Sequence, residues 1–404
     1  MTPLPASPLS RRQLLQFGAL GGLTFAAAAS APAFASGASF STAAGPAVTV
    51  TDLGPAVTAF THAAATLVGD TVYIASRNID PFRIVGYHIP TGKVTSVTHG
   101  PGISTQLLVP DAEGRYLYAA IRQYNTAPGP GLIRLDLGAP GAPKQDLHDI
   151  PALDPYALAV APDGVVFFGG REMSSDLRPR LRRYDTATGV LDVAGIPDPK
   201  ATMIRALAAS ENEVYIGTGS VLNALPTSSK AGLWVMDRAT GSIRSILPPE
   251  FAAGVEVRDL IIVDENTICA TGITPQGAAL AFIDRTDPAQ YTLMRLGRGG
   301  SAKNLTRAGD KFYTLLGGLN ELDRTTGAVR SLTPQGIDLG ELWGLFVREG
   351  KLWTVSAFGL AVEIDIATGA HQVHDIIAAG APADAQLAMS VAAGGGVVYV
   401  GGTN

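Results

Sequence analysis

Arg77, Arg122 and Arg171 each follow a short apolar run at closely matching places in the chain, and Arg205, Arg258 and Lys303 stand where later apolar runs begin. Cations gathered in one funnel would hold carboxylates or sulfates, because the planar fork of Arg matches two anionic oxygens at once. The plainer alternative is that these arginines pair with Asp80, Glu172, Asp176 or Asp259 and only hold loops together. Tyr124, Tyr156 and Trp343 fall near expected loops or strand starts, with Gln106, Asn304 and Glu341 as polar neighbours. Such aromatics either stack sugar rings or simply pack. A Tyr or His beside these arginines could abstract a proton α to a uronate while Arg neutralises the carboxylate. That chemistry makes Tyr124, Tyr156 and His62 the candidate catalytic residues.

Little else in the chain suggests chemistry. His371 and His374 are three apart, which on a strand points them to opposite faces and not at one metal. There is no H-E-x-x-H zinc helix, no phosphate-binding Gly-Lys-Ser/Thr loop and no nucleophile elbow. Gly297-Arg298-Gly299-Gly300 reads as a connecting loop, and no residue pattern points to a metal or a cofactor. Cys269 is the only cysteine, so no intramolecular disulfide can form, and Thr267-Ile268-Cys269-Ala270 reads as a buried strand.

The elements that must carry these residues are short strands. Only 16% of residues are charged, while Gly and Pro number 47 and 27, a mix suited to many strands joined by turns. The net charge of -5 offers no general attraction for nucleic acid or an anionic membrane. Above all, the chain repeats itself. A turn recurs as Ile89-Pro90-Thr91-Gly92, Asp185-Thr186-Ala187-Thr188-Gly189, Asp237-Arg238-Ala239-Thr240-Gly241, Asp323-Arg324-Thr325-Thr326-Gly327 and Asp365-Ile366-Ala367-Thr368-Gly369. Degenerate copies lie at Asp136 and Asp284. From Gly92 to Gly369 the spacing averages about 46 residues, the period of a propeller blade. Asp can accept from the backbone two residues on, and Gly takes the positive φ that closes a short hairpin.

A second set of turns, Gly69-Asp70, Asp163-Gly164, Gly309-Asp310 and Glu349-Gly350, precedes strands such as Val72-Tyr73-Ile74 and Lys351-Leu352-Trp353. Four strands per unit predict an all-β fold of four-stranded antiparallel blades. With these motifs, and the closing Val398-Tyr399-Val400-Gly401-Gly402-Thr403-Asn404, the chain resembles the bacterial β-propellers of the YVTN and PQQ-like repeat class. The resemblance speaks for the fold and hardly for function, since propellers host binders, scaffolds and enzymes. Counting strands gives seven full units from 56 to 382. Val48 to Leu53 reads as a last strand, and Ala385 to Val400 as two strands of an eighth unit. Eight blade positions are therefore expected, seven being the alternative, with the propeller spanning 47–404 and incomplete at its C-terminal end.

The first 35 residues read as a helical leader. Ser10-Arg11-Arg12-Gln13-Leu14-Leu15 resembles a twin-arginine (Tat) export signal; the uncharged stretch Phe17 to Ala29 and the small-residue site Ala33-Phe34-Ala35 follow. The resemblance implies a protein folded before export, then secreted, periplasmic or held at the cell wall, with 36–46 as a linker. The leading expectation is an exported binding module for an anionic glycan or a protein. An enzyme of the polysaccharide lyase or glycosidase type and a scaffold are the alternatives; a carbohydrate-active enzyme fits better than an oxidoreductase.

Overall fold

The computed structural model describes residues 39–40, 48–49, 58–59, 62–103, 105, 107–123, 130–150, 152–220, 230–297, 302–382, 384–385, 388–394 and 397–402. The expected leader at 1–35 lies outside them. The chain forms two compact units, 1–55 and 56–404. In the first, Ser39–Phe40 pairs antiparallel with Val48–Thr49.

In the second unit seven four-stranded antiparallel sheets follow one another, at 62–100, 108–149, 153–195, 203–245, 260–295, 303–331 and 342–375. In each sheet neighbours in sequence are neighbours in hydrogen bonding, so every blade is a simple up-and-down meander. The first strands line a central cavity to which all seven blades contribute. Second strands are buried throughout, as in Thr71–Ser76, because they are covered on both faces. Outermost strands such as Lys93–Gly100 alternate between exposed and half-buried over most of their length, as a one-sided strand should. Among the described residues the only helical pieces are the 3-10 turns Ile89–Thr91 and Pro249–Phe251, and no helix is long and apolar enough to cross a membrane.

The repeated turn behaves as its chemistry requires. Asp185 accepts from the N–H groups of Ala187 and Thr188, Asp323 from those of Thr325 and Thr326, and Asp237 and Asp365 from the N–H and hydroxyl of Thr240 and Thr368. The glycines that follow, Gly189, Gly241, Gly327 and Gly369, all have φ between +70° and +75°.

The blade number corrects the sequence expectation: there are seven, not eight. Blade seven packs directly on blade one, with Trp353, Val355, Ala361 and Ile376 in one core with Val72, Ile74, Val85 and Tyr87. That contact leaves no gap for an eighth sheet. It is tight at Gly344, where a Cβ would stand 2.7 Å from the Ala65 carbonyl oxygen. The last strand expected at Val48 to Leu53 is described only as Val48–Thr49, paired with Ser39–Phe40 within the first unit. Val397–Gly402 forms a hairpin with Ala388–Gly394, and Thr58–Ala59 pairs with Asp384–Ala385.

Candidate functional site

A break of register in the innermost strands builds the site. Pairing of the first and second strands skips a residue between Pro155 and Ala157, Ile204 and Ala206, Lys303 and Thr306, and Trp343 and Leu345. Such bulges re-aim side chains. At these places, and at the matching Arg258, the chain presents Tyr156, Arg205, Lys303, Asn304 and Trp343 to a central cavity of about 290 Å³. Asn304 sits at φ 53°, in the left-handed region that Asn tolerates better than most residues.

Of the expected cations Arg205, Arg258 and Lys303 line the cavity, Arg77, Arg122 and Arg171 do not, and all but Arg258 are ion-paired. Arg77 Nη1 lies 2.6 Å and Lys303 Nζ 2.7 Å from the two carboxylate oxygens of Glu341. Arg122 and Arg171 share Asp154, at 3.2 and 2.9 Å. Arg205 Nε lies 2.7 Å from Glu256, both side chains being only 4% exposed. The partners differ from those expected. Glu172 and Asp176 are taken by Arg178, Arg180 and Arg182, and Asp259 accepts from the backbone N–H groups of Leu260 and Leu305.

The pairing follows a rule that the repeat makes visible. Asp154, Glu256 and Glu341 each stand two residues before a channel residue: Tyr156, Arg258 and Trp343. Each carboxylate reaches back to a cation of the preceding blade: Arg122, Arg205 and Lys303 respectively. In blade six the residue two before Lys303 is Ser301, which carries no charge. Arg258 of blade five has Glu256, Glu341 and Asp259 within electrostatic range but none of them in contact. It makes no hydrogen bond or ion pair among the described residues. Sequence reasoning missed Asp154 and Glu256 because it searched for partners near each arginine and not one blade ahead.

Burial shapes the charges. It lowers Arg258, with Arg205 pushing the same way, and brings Lys303 down to about 8 against the pull of Glu341. It raises the Asp259 carboxyl to about 6, and it raises Asp154 against the pull of Arg122 and Arg171. The channel thus holds Arg205, Arg258 and Lys303 beside Asp259, with Glu256 and Glu341 paired to two of the three cations. Two further groups facing this space are buried without a partner, the Trp343 indole N–H and the Asn304 side-chain oxygen.

The aromatic and catalytic candidates fare differently. Trp343 has Lys303 Nζ 3.4 Å from its ring centroid and Arg77 at 5.2 Å, and Tyr156 has Arg205 at 5.2 Å. Cations already lie over the rings that a sugar would stack on. His62 is fully buried and does not line the cavity; burial holds its imidazole down to about 3, hence neutral. A base needs contact with substrate, which this position denies it. Tyr124 and Gln106 lie outside the described residues. Among the described residues no cluster of three His, Cys, Asp or Glu could hold a metal ion. Cys269 is fully buried, and burial raises its thiol well above the ordinary range.

No family model and no curated protein matches the chain. Solved structures do match in fold. The Cps50 (Swd1) β-propeller domain of Myceliophteria thermophila aligns at TM-score 0.54 and 15% identity, over 80% of this chain and 99% of that one. The computationally designed Ika8 protein aligns at 0.52 and 14%, over 85% and 93%. Kuenenia stuttgartiensis hydrazine synthase aligns at 0.52 and 13%, over 80% and 97%. At such identities the likeness extends to the fold alone. The chain is a β-propeller.

Proposed function

We propose that this propeller is a binding protein that takes an anionic ligand in its central channel, with Arg258 as the contact that selects for charge. One observation carries the reading: Arg258 is the channel cation that the blade-to-blade pairing rule leaves without a carboxylate. A half-buried guanidinium whose carboxylates, Glu256, Glu341 and Asp259, act on it only from a distance is costly to keep, and an anion in contact offsets that cost with a bidentate, charge-assisted bond. The test is calorimetry with glucuronate at low salt. Arg258→Gln should abolish binding and leave thermal stability unchanged, since it removes no ion pair. Arg258→Lys, which keeps the charge but loses the planar fork, should weaken binding markedly. Binding that survives both changes would sink the reading.

The scaffold reading draws on a different observation. Arg77, Arg122, Arg171 and Arg205 are all ion-paired within the protein, so their charge needs no ligand. An absence of binding for every small anion would put it first. Export is proposed on the leader residues alone. Replacing Arg11 and Arg12 together with Lys should hold the precursor in the cytoplasm, and normal secretion of that variant would end the assignment.

A further inference from the structure

Between blades six and seven a second cavity of about 460 Å³ opens beside the channel and shares Arg258 and Lys303 with it. Its size falls within the roughly 300–1,000 Å³ of small-molecule pockets. Its walls are mixed: Leu315, Leu316, Ile337, Leu339 and Leu342 supply the aliphatic part, and Thr333, Asp338 and Glu341 the polar part. The carboxylates along it are engaged: Glu341 pairs with Arg77 and Lys303, and Asp338 accepts from the Gly340 N–H. Beyond the groove the Phe358 ring lies against Gly340, where a Cβ would come within 2.8 Å of it, and yet the side chain is 43% exposed. The cavity therefore offers one unpaired guanidinium at its inner end, aliphatic wall positions along its length and an exposed aromatic nearby.

We infer that the ligand is a small monocarboxylate with an apolar tail, its carboxylate on Arg258 and its tail in the groove between blades six and seven. This rests on the anion reading above and deepens it. A single unpaired cation suits a single negative charge, since a second would face the committed Glu341 and Asp338. The polar wall groups are already bonded, Glu341 to Lys303, Asp338 to Gly340 and Thr333 to Leu319, whereas each methylene the leucines and Ile337 cover leaves water.

The test titrates butyrate, hexanoate, octanoate and glucuronate into the full chain at low salt. Each added methylene should tighten binding by about fourfold until the groove is full. Arg258→Gln should abolish binding of all three fatty acids. Ile337→Gln, at a half-buried wall position, should flatten the dependence on chain length. If glucuronate and butyrate bind through Arg258 with octanoate no tighter, the inference falls and the anion reading stands. If none of the four binds, both fall. Octanoate binding that grows with chain length but ignores Arg258→Gln would overturn the placement of the carboxylate, and the anion reading with it.

Discussion

At the scale of single residues, the site separates cations that hold the molecule together from the one that does not. Arg205 and Glu256 are a buried pair on neighbouring blades, and removing one partner strands the other without solvent. Arg205→Met should therefore cost about 3–5 kcal/mol in chemical denaturation. Adding Glu256→Gln should restore most of that loss, because a neutral amide is far cheaper to bury than a lone carboxylate. If the double variant is no better than the single one, the pair's partners have been misassigned. The same contrast shows what a sequence discloses. Arg77, Arg122, Arg171, Arg205, Arg258 and Lys303 were legible as a group from their phase in the repeat. Their carboxylates were not, because each belongs to another blade or to another strand, tens to hundreds of residues away for Arg205, Lys303 and Arg77. His62 stayed open between channel and core for a related reason. Strand position alone does not say whether an inner residue faces the channel or the core.

At the scale of the element, the Asp-x-x-Thr-Gly turn sets the chain direction between third and fourth strands and carries no ligand chemistry. Asp365 is fully committed to Thr368, its carboxyl held below the ordinary range chiefly by that hydroxyl and N–H. Asp365→Ala should lower the thermal midpoint slightly, as for one local hydrogen-bonded turn, and leave anion binding intact. Loss of binding at unchanged stability would mean that the turn is functional after all. Turns were the most legible part of the fold, because both the side-chain acceptor and the glycine are local requirements. The blade count was not. Whether the first and last units touch depends on how wide each blade is at its core, which the packing of Trp353 and Tyr87 decides and a strand tally cannot.

For the whole molecule, acid should be the sensitive direction. His62 titrates near 6.5 when exposed and near 3 in the fold, where burial disfavours its charged form. The unfolded chain therefore binds the proton first. The stabilisation is complete above pH 6.5 and is lost as pH falls toward 3. Denaturation measured across that window should show one proton taken up on unfolding that His62→Gln does not take up; identical slopes would contradict it. The seam between blades seven and one has a different consequence. Elsewhere neighbouring blades are held together by a short linker, as at 150–152, which keeps them at high effective concentration. The seam lacks such a tether and relies on contacts instead: the Tyr87 hydroxyl on His374 at 3.2 Å, Arg348 on Asp70, and Arg77 on Glu341. Glu341 is thus shared between the clasp of the ring and the ligand cavity. A guest that draws Lys303 away from Glu341 leaves that carboxylate wholly to Arg77, so occupancy and closure are thermodynamically linked, and filling the channel tightens the molecule around its own opening.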